Sequence, residues 1–256
     1  MLGKRGVSSN LFPLKPDSIV RIENLLATTG YILRNFNTNL SVLEVSNYNN
    51  KIISTLLSRK IEYSFIEDKD PIFHRTKYRN LMASKVETPF LAVWDVDVIV
   101  DKQLIDTMTK LRNGEADVAY PFDGKFYDTS EVIRVLYIQK NNIQILHKNR
   151  NRMFLKYGDQ HIGGAFIANT EKYRQTGMEN EKFYGWGPED FERYDRWVNL
   201  GYKIYRAPGC MYHLSHPRDI NGRFNSQRQM EITQSELAKT RKSSFEELIE
   251  NVNQKQ

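Results

Sequence analysis

Two carboxylates stand where carboxylates are costly. The run FLAVWDVDVIV, residues 90–100, carries five apolar residues into Asp95, returns to valine and places Asp97 two positions on. Acids set in an apolar strand need a positive partner or water, which a metal ion, a phosphate-handling site or a solvated strand end would each supply. In an extended chain, residues two apart project to one face, so the pair would point together. Open α/β sheets bind ligands beyond the carboxyl ends of their parallel strands, which favours a cation site. Taken alone, the D-x-D is read equally well as the start of a turn, with Asp101 capping the next helix.

A second cluster, YHLSH, supplies His213 and His216 in a chain of five histidines. Imidazole nitrogen beside carboxylate oxygen suits Mn2+ better than Mg2+, which prefers oxygen throughout. The third cluster is FYGWGPEDFE, residues 183–192. Pro188, Glu189 and Asp190 suit the first turn of a helix through capping and the macrodipole alone. That leaves Tyr184 and Trp186, interleaved with Gly185 and Gly187, unexplained, because such a segment is costly in backbone entropy. Flat aromatic faces beside carboxylates are what a pyranose ring needs: its C–H face stacks while its hydroxyls bond the acids.

The elements that must position these residues alternate along the chain. Asp17 or Ser18 caps a helix through Ile19, Ile22, Leu26 and Leu33, and a weaker strand at 7–15 precedes it. Strands are expected at 40–45 and 61–66, helices at the run KIISTLLSR and at 73–85, and a strand covered on both faces at FLAVW. Beyond Asp101 a helix ends at Gly114, ADVAYPF forms a strand, and 125–160 reads as a polar, helical surface subregion. GGAFIAN (163–169) resumes the core, and PEDFERYDRWVNLG is a helix with Pro188 in its first turn and Gly201 after its end. The alternation predicts an α/β fold around a mostly parallel, mixed sheet flanked by helices. Residues 226–256 are expected to form a peripheral, charged helical extension, with the main domain over 1–225.

Composition bounds the rest. A chain of 256 residues, 40% hydrophobic, can bury a full core. Its single cysteine, Cys210, excludes an internal disulfide framework. No opening run resembles a signal peptide, and no apolar stretch approaches the ~20 residues of a membrane span. A cytoplasmic location is expected. Thirty-seven Lys and Arg against 31 Asp and Glu give a net charge of +6, a bias toward anionic ligands. The basic residues are dispersed and no reader motif accompanies them, so no nucleic-acid partner is expected.

The order D-V-D, G-G, Y-G-W-G-P-E-D-x-E, H-x-x-H-P-R-D resembles the GT-A glycosyltransferases, most closely the beta-1,4-galactosyltransferase-like group and its bacterial relatives. That group's tract reads W-G-W-G-x-E-D, so Tyr184 departs from it while Trp186, Glu189 and Asp190 match. FHRTKYRN (73–80) is similar to the group's F-N-R-x-x-x-x-N, and the likeness runs over about residues 10–225. The resemblance implies a GT-A fold with a nucleotide-binding part near 7–122 and an acceptor and metal part near 123–225. It implies Asp97 and His216 as ligands of Mn2+, with His213 where some members carry methionine. Asp95 would sit nearer the ribose or behind the metal ligands, Arg75 by the nucleotide, Glu44 by uridine, and Gly163 and Gly164 against the donor sugar. Asp190 would be the base, its acidity raised by the helix N-terminus, with Glu189, Trp186 and Tyr184 at the acceptor.

The activity implied is inverting transfer of galactose or N-acetylgalactosamine from a UDP-sugar to a saccharide or lipid-linked saccharide acceptor, in cell-surface polysaccharide synthesis. The helix-prone tail suits contact with the inner face of an anionic membrane, and equally a solvated surface helix. Two other readings compete: a non-catalytic binder of sugar nucleotides or glycans, and a haloacid-dehalogenase-like phosphatase with Asp95 as nucleophile.

Overall fold

The computed structural model describes residues 8–253. In chain order its strands are β1 (Ser8–Leu14), β2 (Asn39–Ser46), β3 (Ile61–Glu67), β4 (Phe90–Trp94), β5 (Val98–Ile99), β6 (Val118–Tyr120), β7 (Phe126–Asp128), β8 (Phe154–Leu155), β9 (Ala165–Asn169), β10 (Ile204–Arg206) and β11 (Met211–His213). Its helices are α1 (Ile19–Asn35), α2 (Ile52–Leu56), α3 (Arg75–Ala83), α4 (Gln103–Arg112), α5 (Glu131–Lys140), α6 (Gln144–Asn149), α7 (Thr170–Gln175), α8 (Glu189–Asn199), α9 (Gln227–Lys242) and α10 (Phe245–Asn253).

Seven strands form the main sheet in the order β10-β6-β9-β4-β1-β2-β3. Its pairings are parallel except that β9 runs antiparallel to both β4 and β6. All five residues of β4 are buried, as expected of a strand covered on both faces. The weak first strand is real and central, between β4 and β2. Its polar start is satisfied by side chains: Ser8 Oγ lies 2.9 Å from Thr38 Oγ1, and Thr88 Oγ1 donates to Ser9 Oγ at 3.0 Å. Leu11, Phe12 and Leu14 then enter the core.

A second sheet, β5-β11-β7-β8, corrects the expectation of a helical 125–160. Helices α5 and α6 occupy the middle of that region, but β7 and β8 bracket them. Strands this short show no alternation to read. The D-x-D also departs from its expected geometry, because β4 ends at Trp94 and Asp97 lies in the turn before β5. The carboxylates therefore diverge, Asp95 toward α3 and Asp97 toward β11.

The C-terminal region is two helices rather than one, and α9 is not peripheral. Gln229, Thr233, Leu237 and Thr240 form a buried stripe on it. Thr240 Oγ1 donates to Glu192 of α8 at 2.9 Å, and Asn199 of α8 donates to the Thr240 carbonyl at 3.0 Å. Three of those four residues are polar, so a hydropathy reading finds no face there. No helix among the described residues is long and apolar enough to cross a membrane.

Candidate active site

A cleft of about 470 Å³ opens beyond β4, and among its walls are Asp95, Asp97, Trp186, Glu189, Asp190, His213 and His216. Sheet pairing assembles its first cluster. His213 ends β11 opposite Val98 of β5 on one side and Asp128 of β7 on the other. His216 Nε2 comes within 3.1 Å of Asp97 Oδ2, and His213 Nε2 within 3.7 Å of Asp97 Oδ1. One donor atom from each of the three residues lies within 4.8 Å of the others. Ligands about 2.2 Å from a common ion lie roughly 3–4 Å apart, so the spacing fits a single divalent cation.

The far side of each imidazole supports that fit. His213 Nδ1 donates to Asp128 Oδ1 at 2.6 Å, and His216 Nδ1 donates to the Pro217 carbonyl at 2.8 Å. Both rings are thereby held in the tautomer that turns a bare Nε2 toward Asp97. Lys156 fixes Asp128 in turn, 3.0 Å from its Oδ2. Without a cation the rings can instead protonate at Nε2; burial pushes the Asp97 carboxyl up, but the two imidazolium groups and Arg21 then outweigh it and hold the group well below the usual range. Arg21 stands 4.0 Å from Asp97 on the cleft wall, and its buried Nε has no partner among the described residues.

The second cluster opens α8. Arg193 donates to Asp190 Oδ1 at 2.7 Å, and Arg79 lies 3.6 Å from the same atom. Asp190 Oδ2 is left toward Gly163, where a Cβ would come within 2.6 Å of it. That approach requires glycine. Burial raises the Asp190 carboxyl, yet Arg193 and Arg79 hold it down, at about 2. These two side chains supply the depression that the sequence attributes to the helix terminus. Glu189 pairs through Oε1 with Arg75 at 3.0 Å, while its buried Oε2 has no partner among the described residues. Beneath both acids, Glu179 binds Arg193 at 2.8 Å and approaches Arg79 at 3.8 Å.

Arg75, Gly163 and Gly164 also line the cleft. Gly164, at φ +96°, packs where a Cβ would meet Met211 at 2.6 Å. Two expected residues do not line it. Glu44 is fully buried and accepts from the Tyr63 hydroxyl at 2.7 Å. Tyr184 turns outward, donates to Asp70 at 2.6 Å and sets its ring against His74. Gly185, at φ +79°, breaks the alternation that would set Tyr184 and Trp186 on one face, so Trp186 lines the cleft and Tyr184 does not.

Residues 144–218 match a family model described as the N-terminal domain of galactosyltransferase. That span holds Gly163, Gly164, Trp186, Glu189, Asp190 and both histidines. Human beta-1,4-galactosyltransferase 7 is 25% identical over 139 residues, which is 54% of this chain and 33% of the relative. The mouse protein is 24% identical over the same shares. The chain thus spans about a third of the length of the curated relatives it matches. GalNAc-T7, solved with UDP, GalNAc and Mn2+, superposes with a TM-score of 0.61 at 10% identity, covering 93% of this chain and 48% of that one. A Drosophila beta-1,4-galactosyltransferase 7 mutant, solved with manganese, UDP-Gal and xylobiose, gives 0.53 at 15% identity, covering 86% and 78%. This chain has the GT-A glycosyltransferase fold. It is homologous to beta-1,4-galactosyltransferase 7.

The same GT-A fold occurs in the mannosyltransferase PcManGT of Pyrobaculum calidifontis, solved with GDP-Man and Mn2+, at a TM-score of 0.52 and 12% identity over 85% of this chain and 59% of that one. With the GT-A sheet in place, the phosphatase alternative loses its footing, and Asp95 accepts from Arg79 at 3.2 Å rather than standing free as a nucleophile. Several residues that line or support the cleft of this GT-A fold carry no sequence signal of their own. Arg21, Asp128 and Arg79 are common residue types in ordinary elements, and only the fold brings them to the site. His161 is another, stacked on Tyr157 with ring centroids 4.8 Å apart and lining the cleft beside Asp190.

Proposed function

We propose that this protein is an inverting, metal-dependent glycosyltransferase that moves a hexose, galactose or N-acetylgalactosamine, from a UDP-sugar to a saccharide acceptor in cell-surface polysaccharide synthesis. The observation that carries the reading is the convergence of Asp97, His213 and His216 in one cleft with Asp190 and Trp186. Asp97 and the two Nε2 atoms would hold Mn2+, which when bound neutralises charge growing on a departing diphosphate. The solved relatives support the donor and acceptor classes, since the Drosophila enzyme was captured with manganese, UDP-Gal and xylobiose. A lipid-linked saccharide at the inner face of a membrane is the acceptor form that fits a cytoplasmic, peripherally bound enzyme.

In this reading the side chains divide the work. Arg21 and Arg75 add positive charge where the nucleotide phosphates would lie. Trp186 offers its ring face to the acceptor sugar, and the unpartnered Oε2 of Glu189 takes one of its hydroxyls. Asp190 Oδ2 removes the proton of the attacking hydroxyl. Its oxygen forms the new bond to the anomeric carbon as the bond to the diphosphate oxygen breaks, UDP leaves with that electron pair, and configuration inverts. A base held at about 2 is weak, so the proton moves late, when the hydroxyl oxygen is already bonding to carbon.

The test is UDP release from UDP-galactose, with and without Mn2+. Release that depends on Mn2+ and drops about a hundredfold or more in Asp97→Ala is expected, as for loss of a metal that supplies several kcal/mol. Ordinary turnover by that variant would end the reading.

A further inference from the structure

We propose that α9 is a working part of the acceptor subsite and that Gln229 is the positioning residue that sets the turn carrying Trp186; this rests on the transferase reading above. The segment 184–187 has little to hold itself, since Gly185 sits at φ +79° and neither glycine offers a side chain. Its carbonyls at Tyr184 and Trp186 face the same neighbour. The amide of Gln229 donates to both, at 2.8 and 2.5 Å. Its Oε1 accepts from the backbone N–H of Asn225 at 3.1 Å, so both ends of the group are committed and its orientation is fixed.

Packing closes the same joint. A Cβ at Gly185 would lie 2.9 Å from Ile72 and 3.1 Å from Asn225, and one at Gly187 would lie 3.3 Å from Thr233, the next turn of α9. The Trp186 and Phe224 rings pack nearly perpendicular with centroids 4.8 Å apart, and Gln234 of α9 reaches the cleft wall. Buried carbonyls need donors wherever they occur. What gives this pair a consequence for catalysis is its position: the turn presents Trp186 to the cleft and leads directly into Pro188, Glu189 and Asp190. A shift of the turn moves the sugar platform and leaves the metal cluster, which hangs on β5, β7 and β11, in place.

Gln229→Met keeps the side-chain length and removes both N–H donors, and Gln229→Glu keeps the shape with the same loss. Three measurements on the full chain decide the matter: amide exchange of residues 184–188, UDP affinity in the presence of Mn2+, and transfer from UDP-galactose to xylobiose. Each variant is expected to exchange faster in that segment by about tenfold and to show an acceptor KM raised about tenfold with kcat largely kept, a net hydrogen bond's worth in each case. UDP affinity should stay within about twofold, which a general folding defect would not allow. Unchanged exchange, or faster exchange with an unchanged acceptor KM, overturns the proposal. A wild-type protein that binds no UDP with Mn2+ overturns the transferase reading instead, and exchange at 184–188 still decides whether Gln229 holds the turn.

Discussion

Asp128 does not itself line the cleft, yet it decides what His213 offers there. Its carboxylate accepts a hydrogen bond from the Nδ1–H at 2.6 Å and so keeps the opposite nitrogen bare. Asp128→Asn keeps the shape and weakens that grip, and Mn2+ affinity in a UDP-bound titration should fall about 10–100-fold, the usual cost of losing such a partner. Glu189 makes a separate prediction. Burial and the neighbouring Asp190 push it up to about 7 against the pull of Arg75 and Arg79. The native protein then keeps a proton that the unfolded chain loses near 4.5, so stability from this group falls as pH rises from 4.5 to about 7 and is level above it. Asp97 and Asp190 titrate below that window and do not mask it. Melting temperatures across pH 4.5–7 should lose this slope in Glu189→Gln, and a slope identical to wild type would refute the assignment. At this scale the sequence reveals residues that are out of place for their surroundings. Asp97 in an apolar run and Trp186 between glycines stand out, whereas Asp128 and Arg21 look like any other charged residue until the fold brings them to the cleft.

Among the elements, α8 is held by charge as much as by packing. Glu179, in the turn after α7, is buried with Arg193 of α8 and Arg79 of α3, and it also accepts from the Tyr173 hydroxyl at 2.8 Å. Glu179→Gln leaves two buried guanidinium groups short of charge, although Asp190 and Asp95 still face them. A loss of roughly 3 kcal/mol is expected in denaturant unfolding, the lower range for a broken buried pair. A loss under about 1 kcal/mol would mean that the remaining acids compensate fully. Longer elements are readable from sequence: α1 and β4 by their apolar residues, and α8 by Pro188 in its first turn and Gly201 after its end, although four of its five buried residues are charged. Those built from two or three residues are not, so β7 and β11 escape notice although they carry Asp128 and His213. The buried stripe of α9 is unreadable for another reason, its contacts being amide and hydroxyl hydrogen bonds rather than apolar surface.

For the molecule as a whole, binding and stability are linked. A ligand that engages only the native state at a hundred times its Kd adds about 2.7 kcal/mol. For a domain of this size, UDP with Mn2+ should raise the melting temperature by roughly 5–10 °C. Asp97→Ala should lose that shift, and an equal shift in the variant would place the nucleotide elsewhere. The mostly parallel sheet follows from alternation of strands and helices along the chain, whereas the order of its strands does not. Nor does the antiparallel entry of β9, because a buried strand reads the same in either direction.

The cation cluster joins residues 97, 213 and 216, with more than a hundred positions of chain between its first member and its second. Closing so large a loop belongs late in folding. A nascent chain on the ribosome can complete much of the sheet early, but it has no grip on metal or diphosphate until β11 and the turn beyond it have emerged. Until then this cleft is chemically silent.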